Sequence, residues 1–393
     1  MNLTIGSELL AFGDLLAFLS QLSVACASLG CLYLLAAAAA VLRFPRRATM
    51  RVAAATPVSV LKPLHGREPG LSGRLESLLG QHYAAPVQII CGLHDARDPA
   101  IETVKQLSAG GGSIEVKTDA REHGSNRKVS NLINMVSLAR HDILVIADSD
   151  IEVGSDYLER LTAELEAPEV GAVTCPYHGV PVQGIWSRCA ALGVNCHFLP
   201  NAILAIVFGL AQPCFGATIA MRRGVLAAIG GFKAFADDLA DDYMIGKAVR
   251  SSGRRVAVAP FSVGHVCRHD RLGSFLAQEL RAARTIRSLA PVGYVGTLIS
   301  HPFPLALLAA LGGAAYGIEL VAIALICRLT LCFCVAHAFR LPRQPYGLIP
   351  VQDVLAFAVF IASFFGSAVR WRGFRGRVRP DGTLVADERR ATS

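Results

Sequence analysis

The chain has 393 residues, 53% of them hydrophobic and only 17% charged. A soluble domain carries about 25% charged residues, so this composition excludes a purely soluble globule and a disordered chain, and it calls for segments in lipid. The net charge of +8 is carried largely beside apolar stretches, at Arg43, Arg46, Arg47 and Arg51 and again at Arg370, Arg372, Arg375, Arg377 and Arg379. No basic run is interleaved with aromatics, which argues against a nucleic-acid partner.

From Leu15 to Leu42 no residue is charged, and these 28 positions exceed the roughly 20 needed to cross a bilayer. Glu8 and Asp14 stand where a signal peptide would be basic, so a retained anchor is expected in spite of the cleavage-like Ala25-Cys26-Ala27. The arginines that follow place residue 43 onward in the cytoplasm by the positive-inside rule.

Between about 55 and 262, apolar runs alternate with helix-length stretches. Pro57 to Leu61, Val87 to Cys91, Ser113 to Val116 and Ile143 to Ala147 read as strands, and 73–80, 99–108 and 127–140 as helices. This is the pattern of an α/β domain with parallel strands and helical crossovers, in which ligands bind beyond the carboxyl ends of the strands.

Acidic residues gather at those ends. The second strand is followed by His94-Asp95-Ala96-Arg97-Asp98-Pro99 and the fourth by Asp148-Ser149-Asp150. Two aspartates one residue apart, leaving an apolar strand, present hard oxygen ligands suited to Mg²⁺ or Mn²⁺, the remaining positions being left to a substrate's phosphates and water. The alternative is a solvated turn or cap. A third group, Asp237-Asp238-Leu239-Ala240-Asp241-Asp242-Tyr243, reads in part as an acidic helix N-terminus. The adjacent Asp241 and Asp242 repel each other without folding benefit, and one carboxylate here suits a general base.

The segment Phe198 to Leu210 is apolar but has only 13 residues, which fits a buried or interfacial helix better than a span. Gln278, Arg281, Arg284 and Arg287 repeat every three residues, so the arginines form a stripe that either grips lipid headgroups or holds a leaving diphosphate. Phe303 to Phe339, interrupted by Glu319 and Arg328, suits a hairpin of two spans, and Val354 to Val369 a further one. That makes four spans; taking 303–327 as one span with a peripheral segment after it makes three and leaves the basic tail inside. The eleven cysteines are odd in number and contain no CxxC pair, so they read as reduced core residues without a zinc site. The expected layout is an anchor at 1–50, the α/β domain at 55–262, interfacial helices at 263–300, a membrane bundle at 301–370 and a tail at 371–393.

Taken in order, these pieces resemble the ceramide glucosyltransferase family, the inverting membrane glycosyltransferases of family 21, and its bacterial relatives associated with hopanoid biosynthesis. The residues that carry the resemblance are Val60 to Gly66, Asp95 to Pro99, Lys128 with Asn131-Leu132, Asp148-Ser149-Asp150, Cys214 to Arg222, Asp241-Asp242-Tyr243 and Gln278 to Arg281. The likeness spans about residues 15 to 370. It implies a GT-A type α/β domain, a Rossmann-like mixed sheet, in the cytoplasm between N- and C-terminal transmembrane helices of a bacterial inner membrane.

The family's pattern of D, DxD, D and (Q/R)xxRW implies roles for individual residues. Asp95 would lie near the uracil and ribose of a UDP-sugar, Asp148 and Asp150 would hold Mg²⁺ or Mn²⁺ and the diphosphate, and Asp242 would be the catalytic base. Lys128, Asp241, Gln278 and Arg281 would bind substrate. This chain departs from the pattern at Ala282, where the family has Trp, removing a large packing surface. The implied reaction is a single displacement that moves a hexose from a UDP-sugar to a hydroxyl of a membrane lipid, ceramide or a hopanoid polyol, giving a β-linked glycolipid. The competing readings are a processive polysaccharide synthase, a polytopic transporter, and a catalytically impaired lipid-binding relative.

Overall fold

The computed structural model describes residues 2–47 and 56–366 and the backbone of segments 368–371, 374–378 and 384–386; side chains are described for residues 13–45 and 56–366. Arg51, Arg372 and Arg379 lie outside the described residues, as do the side chains of Arg46, Arg47, Arg370, Arg375 and Arg377.

A long helix α1 (Asn2–Arg43) precedes β1 (Val58–Pro63), α2 (Leu71–Leu79), β2 (Val87–Leu93), α3 (Ala100–Ala109) and β3 (Ile114–Thr118). Next come α4 (Arg127–Val136), β4 (Ile143–Ala147), β5 (Ile151–Glu152), α5 (Tyr157–Leu165), β6 (Val170–Thr174) and β7 (Tyr177–Pro181). Helices α6 (Ile185–Gly193) and α7 (Leu199–Val207) interrupt this alternation before β8 (Thr218–Arg222), α8 (Arg223–Ala228), α9 (Asp241–Ser251), β9 (Arg255–Val258) and β10 (Val263–Cys267). The following helices are α10 (Leu272–Leu289), α11 (Pro291–Gly296), α12 (Pro302–Leu311), α13 (Gly317–Ala338) and α14 (Ile349–Ser363).

Two compact units result. One comprises Arg46–Val180, Gly209–Cys267 and Trp371–Ser393, the other Met1–Pro45, Pro181–Phe208 and Arg268–Arg370. The chain leaves the α/β unit at Pro181 and returns at Gly209, an excursion that the strand-and-helix pattern does not announce.

In the α/β unit, seven strands pair in the order β3-β2-β1-β4-β8-β6-β9. The four expected strands form one parallel block, β3-β2-β1-β4. Strand β8 then runs antiparallel to β4 and β6, so the sheet is mixed. A two-residue periodicity sends alternate side chains to opposite faces. Val58, Val60, Ile89, Cys91, Ile143 and Val145 join α2, α3 and α5 in one core, while Leu61, Ile90, Leu144 and Ile146 join α4, α8 and α9 in the other. Helices on both faces explain why β4 is buried along its whole length. The helix expected over 127–140 stops at Val136: Leu138 and Ala139 turn back on Met135 and Val136, and the Arg140 amide donates to Gln88 Oε1 at 2.9 Å, aligning the chain to enter β4.

Among the described residues of the helical unit, four helices are long and apolar enough to cross a membrane: Gly13–Arg43, Ile185–Val207, Gly317–Ala338 and Tyr346–Ser363. The bent pair Pro291–Ser300 and Pro302–Leu311 is a fifth candidate if taken as one span. The number four matches one of the two expected counts, with different members. Phe198 to Leu210 is not a separate short helix, because α6 and a π-turn at Val194–Phe198 extend it backward to span length. The expected hairpin has only a ten-residue first limb, α12, and a single span over 303–327 is broken by the turn before Gly317.

Of the charges that interrupt these apolar runs, Glu319 sits in the first turn of α13, where a carboxylate suits the helix dipole. Arg328 is fully buried and paired: its Nε donates to Asp353 Oδ2 at 2.9 Å and its Nη1 to the Cys196 carbonyl at 2.7 Å. The other oxygen of Asp353 meets His197 Nε2 at 2.7 Å. Cys196 and Cys332 are joined as a disulfide, which corrects the expectation that every cysteine is reduced; the packed helices hold their Cα atoms 5.2 Å apart, within bridging range. The other nine cysteines form no disulfide among the described residues.

Candidate active site

The site is built where β4 ends. Its apolar run Ile143–Ala147 delivers Asp148, Ser149 and Asp150 beyond the carboxyl end of a central strand. The loop is shaped by two buried cations. Lys62, the fifth residue of neighbouring β1, is wholly buried and donates to the carbonyl of Asp148 at 2.8 Å and, at 3.4 Å, to that of Ile151. Burial lowers its ammonium to about 8, against the pull of Asp150 and Asp148. From the other side the Arg74 Nε donates to the Ser149 carbonyl at 2.7 Å, and Glu68 accepts from both Ser149 Oγ and Arg74.

Lys128 joins the distant acidic motifs. It lies in the first turn of α4, whose start is fixed by Asn126, a side-chain cap accepting from the amides of Lys128 and Val129. The same Asn126 donates to the Asp238 carbonyl at 2.7 Å, tying the α4 start to the loop before α9. Lys128 Nζ reaches Asp148 Oδ1 at 2.8 Å and Asp241 Oδ2 at 3.4 Å. Burial alone would lower this ammonium, but Asp148 and Asp241 outweigh it and hold the group charged well above its ordinary value.

Asp242 follows in the first turn of α9, one oxygen accepting from the Tyr243 amide at 2.8 Å. Burial, with the neighbouring Asp241 charge added, pushes its carboxyl up to about 6 although Lys128 opposes the shift. Its other oxygen occupies space left by Gly216, where a Cβ would lie 2.9 Å from Asp242 Oδ2.

Asp150 is paired with His265 of β10, 3.3 Å from Oδ2. Burial would raise this carboxyl, yet His265 and the nearby lysines bring it to about 2. Asp150 Oδ1 is shut off from solvent and has no hydrogen-bond partner among the described residues. An orphaned carboxylate oxygen facing this cluster is chemically apt for a hard divalent cation. Among the described residues no three His, Cys, Asp or Glu side chains converge in metal-binding geometry, so such an ion would need ligands from a substrate.

The structure thus brings together Lys128, Asp148, Asp150, Asp241 and Asp242. Asp95 lies in an exposed loop after β2, where its Oδ1 accepts from the Arg97 amide at 2.8 Å. That hydrogen bond, more than the Arg97 charge, lowers its carboxyl. Its neighbour Asp98 is a structural clamp, accepting from the amides of Gly66 and Ala100. Beside Lys128 a small cleft is lined by Pro63, Leu64, His65, His94, Arg127 and Asn131.

Gln278 and Arg281 belong to the helical unit, on α10. Gln278 and Ala282 are exposed and Arg281 is half-buried. Arg284 and Arg287 donate to the carbonyls of Phe365 and Gly366, so these two arginines of the stripe close off the C-terminal end of α14. His265, Asn126 and Lys62 are site residues beyond those expected from the sequence. Lys62 lies within the Val60 to Gly66 motif, whereas a lone histidine on a short strand carries no local signal.

The description "Glycosyl transferase family 21" matches residues 22–384. Over 205 residues the chain is 27% identical to ceramide glucosyltransferase 1 of Caenorhabditis elegans, covering 51% of this chain and 44% of that protein. It is 29% identical to the Candida albicans ceramide glucosyltransferase over 121 residues, 28% of this chain and 22% of that one. The chain therefore covers less than half the length of either relative. In structure it is similar to the mannosyltransferase PcManGT of Pyrobaculum calidifontis, described in complex with GDP-Man and Mn²⁺, with a TM-score of 0.51 and 17% identity over 88% of this chain and 99% of that one. The mixed sheet between helical layers is a GT-A glycosyltransferase fold, and the chain belongs to glycosyl transferase family 21 as a ceramide glucosyltransferase-like membrane protein.

Proposed function

We propose that the protein transfers a hexose, of glucose or N-acetylglucosamine type, from a UDP-sugar to a hydroxyl of a membrane lipid, ceramide or a hopanoid polyol, with inversion at the anomeric carbon. The observation that carries this reading is the convergence on Lys128 of Asp148 from one motif and Asp241 from another, with Asp242 one residue further on. The α/β unit is the catalytic part, facing the cytoplasm of a bacterial inner membrane, and the apolar helices keep it at the lipid surface. Gln278 and Arg281 serve substrate binding from α10, and Asp95 serves the nucleoside.

Asp148 and Asp150 are the residues that would hold Mg²⁺ or Mn²⁺. Such an ion, when bound, supplies Lewis-acid neutralisation of the diphosphate's charge. Lys128 adds a second positive charge beside that group, already held ionised by its aspartates. Asp242, poised near 6, is ionised at neutral pH and still basic enough to take a proton. As the lipid oxygen attacks the anomeric carbon, its proton passes to Asp242, the new glycosidic C–O bond forms, and the sugar–phosphate C–O bond breaks with its electron pair leaving on UDP. A single base without a second carboxylate as nucleophile makes this one displacement, so an α-linked donor yields a β-glycoside.

The test is mass spectrometry of lipid extract incubated with the full-length protein in nanodiscs, a divalent cation and a panel of UDP-sugars. One sugar added per lipid, lost in Asp242→Asn, is the expected result. A polymer product would transfer the chain to the processive synthases. Absence of metal-dependent UDP release with every acceptor would make it a catalytically impaired relative, the outcome that Ala282 keeps in play.

A further inference from the structure

The helical unit holds a cavity that the sugar-transfer reading does not use. It is an open depression rather than an enclosed pocket, about 440 Å³ in volume, and it is lined by Gly184, Ile185, Arg188, Pro345, Tyr346 and Leu348. Two of these residues begin membrane-length helices: Ile185 starts the segment Ile185–Val207 and Tyr346 starts Tyr346–Ser363. Helices α6 and α14 pack against each other. Two adjacent spans that start at one cavity place it at the level where chain passes from polar surroundings into hydrocarbon. Tyrosine and arginine are the side chains suited to that depth.

The chemistry of the walls is lopsided. Among the described residues Arg188 is the only charged residue lining the cavity; it is exposed, and while its backbone amide donates to the Gly184 carbonyl, its guanidinium makes no hydrogen bond or ion pair there. Ile185 is 49% exposed, and Leu348 and Pro345 extend the apolar wall. An arginine fork pairs with phosphate oxygens bidentately, while aliphatic walls beside it suit the first methylenes of an acyl chain. Among the described residues no carboxylate lines the depression to receive the ammonium of a choline or ethanolamine headgroup. The charge therefore favours an anionic lipid over a zwitterionic one.

We propose that this cavity is a binding site for an anionic membrane phospholipid, its phosphate held by Arg188 and its acyl chains running along Ile185 and Leu348. No step of sugar transfer enters the inference, and it stands or falls independently of that reaction.

The full-length protein is reconstituted in nanodiscs containing phosphatidylcholine with or without phosphatidylglycerol, released into mild detergent, and its retained phospholipids are counted by native mass spectrometry. The wild type should retain phosphatidylglycerol in preference to phosphatidylcholine. Arg188→Ala should weaken that retention about five-fold, the effect of one basic residue facing anionic lipid, and Arg188→Lys should keep most of it. Gly347, also in the lining, has nothing within 4 Å of an added Cβ, so Gly347→Trp can project an indole into the depression without a backbone clash and should weaken retention. Undiminished retention in Arg188→Ala or Gly347→Trp, with the variants folded by circular dichroism, overturns the proposal. So does equal retention of the two lipids by the wild type. Displacement of the lipid by millimolar inorganic phosphate would show a free-phosphate pocket instead and would equally overturn it.

Discussion

If Asp242 is the base, its titration is a handle on the whole cluster. Its carboxyl sits near 6 rather than the ordinary 3.8 because it is buried and because Asp241 adds a like charge, while Lys128 opposes both. At roughly 1.4 kcal/mol per pH unit, ionising it in the site costs ~3 kcal/mol more than in water. The acid limb of kcat/KM should therefore reach half-height near pH 6. Replacing Asp241 with Asn removes the like charge, and replacing Lys128 with Met removes the opposing one. A charge a few ångströms away moves a carboxyl by about one to three pH units, and partial water access puts the effect at the lower end. The limb should shift about one unit down in Asp241→Asn and about one unit up in Lys128→Met. The assay is initial rates of UDP release by the full-length protein in nanodiscs, across a pH series at constant ionic strength. Limbs that stay in place, or that move in the same direction in both variants, would refute the assignment of Asp242 to this charge network.

Further expectations follow from the same contacts. Between 3.8 and about 6 the folded state holds more protons at Asp242 than the unfolded chain, so this residue's destabilising effect grows as pH rises through that window and is complete above it. Asp242→Asn should accordingly be inactive yet melt at a higher temperature than wild type at pH 7.5, with no gain near pH 3.5; a lower melting point at pH 7.5 would contradict this. Gly216→Ala places a methyl 2.9 Å from Asp242 Oδ2, so kcat should fall about ten-fold or more while KM for the donor changes little, checked by steady-state kinetics. Arg328→Met leaves Asp353 buried without its cation and should cost ~3–5 kcal/mol, read as loss of the thermal midpoint in detergent; a neutral effect would mean that the pair does not hold these helices together.

Much of the α/β unit is legible because parallel strands buried on both faces read as unbroken apolar runs. Ile143 to Ala147 announces both a central strand and the point at which Asp148 and Asp150 emerge. Asp241 and Asp242 stand out because adjacent carboxylates have no folding use. In the membrane segments the sequence shows apolar length but not partners. The excursion of α6 and α7 hides among half-polar residues such as Asn195 and His197, which hydrogen-bond to Gln344 and Asp353 far along the chain.

The sequence alone determined the N-terminal apolar span, the strands of the parallel block and the carboxylates at their ends, since those follow from local periodicity and hydropathy, whereas the extents of the later apolar helices came from the fold. Tertiary structure decided which charges meet. Only folding brings Lys128 between Asp148 and Asp241, sets His265 against Asp150, encloses Arg328 with Asp353, and turns Arg284 and Arg287 toward the end of α14. A charge in a sequence has a sign but no neighbours, and the energy of a charge is set by its neighbours and by the water taken from it.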